Sequence, residues 1–137
     1  MATFTKFNSF VEALAEKVHN LGSDTLKIML TNSAPVATNT IKANLTEISA
    51  GSGYTAGGTT LGVTASSQTS GTYTLAANDV VFTAAGGTIG PFRFAALYND
   101  TATNDELIGW WDYGSSITLA DTETFTVDIA ASVLTLV

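Results

Sequence analysis

From Thr25 to the C-terminus the apolar residues recur at every second position, in short runs broken by turn formers. A period of two places successive side chains on opposite faces of an extended strand, so it constrains this chain to a sheet-based fold. In TLKIMLT, Leu26, Ile28 and Leu30 share one face while Lys27 and Met29 take the other, the mark of a half-buried strand. Leu61–Ser66, Thr72–Ala76, Val80–Ala84, Phe92–Tyr98, Leu107–Tyr113, Ile117–Leu119, Thr122–Ile129 and Val133–Val137 follow as strands or short edge pieces. Gly86-Gly87 marks a hairpin turn, and Asn99–Asp105 is a polar turn. About eight closely spaced strands argue for a mainly β fold, a β-sandwich or barrel.

Ahead of this region the period is 3.6. Phe10, Leu14, Val18 and Leu21 form one apolar stripe, which predicts a short N-terminal helix over 9–22. Ser9 with Glu12 fits a capping box, and Gly22 is placed to stop the helix in a left-handed conformation. Residues 1–8 are then an arm, with Phe4 and Phe7 exposed ahead of the helix. Asn32–Asn39 with Pro35 is a loop. Asn39–Ser49 is ambiguous, with Ile41, Leu45 and Ile48 at helical spacing. Four glycines surround Tyr54 in AGSGYTAGGTT, which reads as a flexible loop. A length of 137 residues suits one domain over 1–137, with 25–137 forming the sandwich.

Charge narrows the function classes. Only 12% of residues are charged, against about a quarter in ordinary proteins, so Thr, Ser, Asn and Gly must supply the polar coat. The net charge of −7 and five scattered basic residues argue against a nucleic-acid partner, because phosphate neutralisation needs clustered Lys and Arg. No apolar run approaches the ~20 residues of a membrane-spanning helix, and the opening MATFTKFNSF lacks the pattern of a signal peptide. With no cysteine there is no disulfide and no thiolate metal site.

No constellation for chemistry stands out, so the expectation is a protein that is not an enzyme and has no cofactor or metal. His19 is the only histidine and sits on the predicted helix. Asp100–Glu106 carries oxygen ligands but lacks the frame of an EF-hand loop, and reads as an Asx-rich turn. The glycine loop has no Gly-Lys-Ser/Thr and no βαβ context for a nucleotide. Trp110-Trp111 is the more informative pair. Neighbours in a strand face opposite sides, so one indole enters the core and the other turns outward, toward a sugar or a subunit, or else the chain's own helix and loops cover both.

Four stretches carry a resemblance: FNSFVEALAEKVHNLGSDTLKIMLTNSAPVATNT, ISAGSGYTAGG, GGTIGPFRFAALYNDT and LIGWWDYGSSITLADTETFTV. Together they cover nearly the whole chain, which resembles small structural proteins of tailed bacteriophages described as head-decoration or cement-like. The resemblance implies a jelly-roll-like or other β-sandwich fold and a place on the capsid surface of the virion, after a period in the host cytoplasm. It implies the major capsid protein as partner, with self-association as a dimer or trimer, and transfers no catalytic residue. A tail, neck or connector component is the alternative, and a carbohydrate-binding host-attachment module using Tyr54 with Trp110 or Trp111 is the second. The candidate interface residues are Phe4, Phe7, Pro35, Ile41, Tyr54, Trp110 and Trp111.

Overall fold

The computed structural model describes residues 2–137, so Met1 of the expected arm lies outside the described residues. The elements in chain order are β1 (Phe4–Lys6), α1 (Ser9–Ala15), β2 (Leu26–Thr31), β3 (Thr59–Thr60), β4 (Val63–Thr69), β5 (Thr72–Ala77), β6 (Val80–Thr83), β7 (Ile89–Asn99), β8 (Leu107–Leu119), β9 (Thr124–Val127) and β10 (Leu134–Leu136). The protein is thus mainly β with one helix. All strand pairing is antiparallel, in sheets ordered β1-β8-β7-β2-β3, β10-β5-β4 and β6-β9.

The long strands β7 and β8 form the spine. Their ladder is interrupted by bulges, which add residues to one strand and re-aim those that follow. One bulge lies where Leu97 faces Gly109 and Tyr98 faces Leu107, so that Ile108 has no partner of its own. Beyond it, Trp110 and Trp111 fall on opposite faces of the sheet.

The main core draws on all three sheets. It includes Leu26, Ile28 and Leu30 of β2, Leu75 of β5, Phe82 of β6, Ala95 and Leu97 of β7, Ile108 and Trp111 of β8, and Val127 of β9. A second, smaller core covers the opposite face of the five-stranded sheet: Phe7, Met29, Leu45, Ala96, Tyr98 and Leu107, with Trp110 packed against them. The half-buried β2 is therefore corrected. Leu26, Ile28 and Leu30 do share a face, but Met29 on the other is fully buried too. Residues from the N-terminal segment and from 39–49 lie over that face, contacts that no local period reveals.

Several other expectations are corrected. The helix ends at Ala15, not Leu21. Its end is a Schellman motif, with the Val18 N–H donating to the Ala13 carbonyl and the Lys17 N–H to Leu14. Lys17, at φ 69°, takes the left-handed position assigned to Gly22. Leu21 remains buried, but Val18 is exposed, so the stripe is only partly used. No side chain caps the helix start, which removes the capping box. Residues 4–6 of the arm form an edge strand on β8. Gly86-Gly87 does not close a hairpin, because β6 pairs with β9. The ambiguous segment contains only a 3-10 turn over Lys42–Asn44.

Candidate functional site

Four of the seven candidate residues meet along β1 and β8. Phe4 lies opposite Trp111 in the register, with ring centroids 5.0 Å apart on the main-core face. A Cβ placed on Gly109 would overlap the Phe4 ring, so the absence of a side chain there gives the phenyl its seat. Phe7 packs on Trp110 at 4.5 Å on the other face. The two tryptophans are split between faces, as neighbours in a strand should be. Trp111 is 4% exposed, Phe7 is fully buried and Phe4 half-buried, so the exposed aromatic arm is corrected to a pair of aromatic contacts that fasten β1 to β8. Trp110 alone of the two indoles keeps partial exposure.

The other three candidates lie elsewhere. Pro35 is buried in its loop. Ile41 is half-buried and forms an isolated bridge with Glu106. Tyr54 is 3% exposed, and its hydroxyl donates to Glu47 Oε1 (2.7 Å) while accepting the Leu30 N–H (3.0 Å). Glu47 also accepts the Gly57 N–H (2.6 Å) and pairs with Lys42 Nζ (3.2 Å). The Tyr98 hydroxyl donates to the Gly57 carbonyl at 2.6 Å. Gly58 (φ 82°) passes so close to the Ile28 carbonyl that a side chain has no room. The glycine-rich segment is therefore pinned over β2 by buried polar contacts, which corrects the flexible loop. Burial pushes the phenols of Tyr54 and Tyr98 well above the ordinary tyrosine range. With its ring and hydroxyl both engaged, Tyr54 has no free face for a sugar.

A second polar cluster joins the loop after α1 to the end of β7. Asn99, fully buried, accepts the N–H groups of Thr101 and Ala102 at its amide oxygen. Its amide nitrogen donates to Asp24 Oδ2 (2.7 Å) and faces His19 Nδ1 (3.0 Å). Because both Asn99 atoms are fixed by these partners, His19 Nδ1 must accept and the ring proton must sit on Nε2. That Nε2–H is buried and has no partner among the described residues. Burial holds the His19 pKa below its usual value, only partly offset by the carboxylates of Glu106 and Asp24. Through Asn99 and Asp24 the arrangement ties the loop after α1 to the end of β7. Beside it lies a cleft of about 490 Å³ lined by Leu14, Lys17, His19, Leu21, Ser66 and Tyr73, among others.

Among the described residues, no three His, Asp or Glu side chains are grouped closely enough to hold a metal ion. In the Asx-rich turn, Asp100 pairs with Lys27 (3.3 Å) and Glu106 accepts from Asn104. No helix among the described residues is long and apolar enough to cross a membrane. Reading the sequence missed Glu47 and Asn99. Each lies in a segment read as irregular or as a turn, and only the tertiary neighbours give these side chains their roles. No protein-family model, curated protein or solved structure matches the chain.

Proposed function

We propose that this chain is a non-enzymatic structural protein of a tailed-phage virion, binding the outside of the major capsid lattice as a decoration or cement protein. The proposal takes up the resemblance of four long stretches to small head-decoration-like proteins, and the observation that supports it is an exposed, uncharged strand on the surface. The surface suits such a role. On the β4–β5 hairpin, all seven residues of β4 are exposed and none is charged. Burying such a surface against a neighbour strips little hydration from charged groups, so lattice contacts there cost little in desolvation.

The finer architecture belongs to the same proposal. Because one core draws on all three sheets, we read the two smaller sheets as packed over one face of the five-stranded sheet in a sandwich-like, jelly-roll-related arrangement. On this reading the capsid contacts move from the buried residues Phe7, Tyr54 and Trp111 to exposed apolar positions such as Val11, Val36 and Val81.

Quantitative mass spectrometry of separated heads and tails from the phage encoding the chain tests the proposal. Copies approaching those of the major capsid protein, confined to heads, are expected. A few copies travelling with tails would replace this reading with a tail or neck component.

A further inference from the structure

Among the described residues, β4 is the longest strand that has no partner anywhere along one side. It pairs with β5 on one side and with nothing on the other, since the sheet order is β10-β5-β4. The other strands that end a sheet are shorter: four residues each in β6 and β9, three in β1 and β10, and two in β3. Every second residue of such an edge turns its N–H and C=O outward, which makes it a template for another strand.

Proteins ordinarily blunt such edges with Lys, Pro or inward-pointing charge. The segment Val63-Thr-Ala-Ser-Ser-Gln-Thr69 has none of these. A bulge between Val63 and Ala65 disturbs only its start, leaving Ala65–Thr69 in regular register with β5. All seven residues are exposed.

We infer that β4 is a self-pairing edge, joining antiparallel to β4 of a second copy across a twofold axis so that β10-β5-β4 continues into its partner's sheet. Three observations favour a second copy as the occupant. A regular stretch centred on Ser67 would set Ala65 against Thr69, Ser66 against Gln68 and Ser67 against itself, all small or neutral pairs. The chain as a whole carries −7, and an interface on this uncharged strand adds no close like-charge contact to the net repulsion between copies. The central Ser67 pair also sets two hydroxyls opposite each other, where they can hydrogen-bond across the antiparallel strands. The inference does not rest on the virion reading.

So short a pairing covers much less than the roughly 800 Å² per partner of a standard interface, so the free dimer should be weak, with a dissociation constant on the order of 0.1 mM. Sedimentation equilibrium from micromolar to millimolar chain should show reversible dimerisation. Ser67→Lys should raise the dissociation constant at least about tenfold, although it lowers the overall negative charge. The chain has no cysteine, so single cysteines at positions 65 to 69 report the register directly. Ser67→Cys should form disulfide dimers faster than the exposed control Val36→Cys. This readout stands even if the lysine variant is unstable. A chain that remains monomeric at millimolar concentration, with no β4 cysteine cross-linking faster than the control, overturns the inference. So does protection of the β4 amides by an added extended peptide in a chain that stays monomeric.

Discussion

Phe4 occupies the space that Gly109 leaves open on β8, so the first strand is seated by a residue with no side chain. A side chain at 109 must displace either the Phe4 ring or the β1 backbone at Thr5. We expect Gly109→Val to destabilise the fold by about 1–3 kcal/mol through overpacking. Trp111 would become more exposed and its fluorescence would shift to the red. Adding Phe4→Ala should recover part of the loss, because it removes one of the two obstacles. Denaturant unfolding of the two single variants and the double variant checks this, and strictly additive losses would contradict it.

Phe7 carries the opposite face. It is fully buried against Trp110 in the smaller core, and its N–H donates to the Ile108 carbonyl. Truncation to Ala should cost about 3–5 kcal/mol, the range for a large buried aromatic. Removal of residues 1–8 should lower the melting temperature at least as much. An arm that merely reached for a partner would leave the melting temperature nearly unchanged.

These contacts show how far the sequence could be read. The period of β2 correctly put Leu26, Ile28 and Leu30 on one face, because strand geometry alone decides which side chains share a side. It misjudged Met29, because the cover on that face comes from Phe7 and Leu45, distant in sequence or in irregular backbone. The split of Trp110 and Trp111 was legible for the same local reason, and the partners of each were not. The helix was overextended because Lys17 accepts a left-handed conformation that propensity reserves for glycine. Tyr54 looked mobile among glycines, yet those glycines let the backbone approach β2 closely enough for its hydroxyl to reach Glu47 and Leu30.

Tyr54→Phe keeps the ring and removes only that hydroxyl. It strands the Leu30 N–H and takes a donor from Glu47, and should cost about 1–3 kcal/mol. Backbone amide exchange at Gly57, whose N–H donates to Glu47, should quicken in the variant. Unchanged exchange there would show that the segment is held by something else.

The His19 cluster predicts an acid-side weakness. The folded-state pKa lies below the ordinary value of 6.5, so the unfolded chain binds the proton more readily. The contribution is fully present above about pH 6.5 and is lost as pH falls through the window beneath it. Protonation at Nδ1 would also set two donors against each other at Asn99. Stability measured in urea from pH 7.5 to 5 should fall more steeply for the natural chain than for His19→Gln, which cannot titrate. Parallel curves would remove His19 as the cause.

The place of β1 has a consequence for how the chain is made. Lys6 finds its partner at Gly109 and Phe4 at Trp111, so β1 pairs with a strand that is made long after it. During synthesis Phe4 and Phe7 have no β8 to pack on. Closing that distance carries a loop entropy that only the finished ribbon of β7 and β8 can offset. The five-stranded sheet is therefore completed only once β8 has been made, and until then the nascent chain presents two unburied phenylalanines for a chaperone to hold.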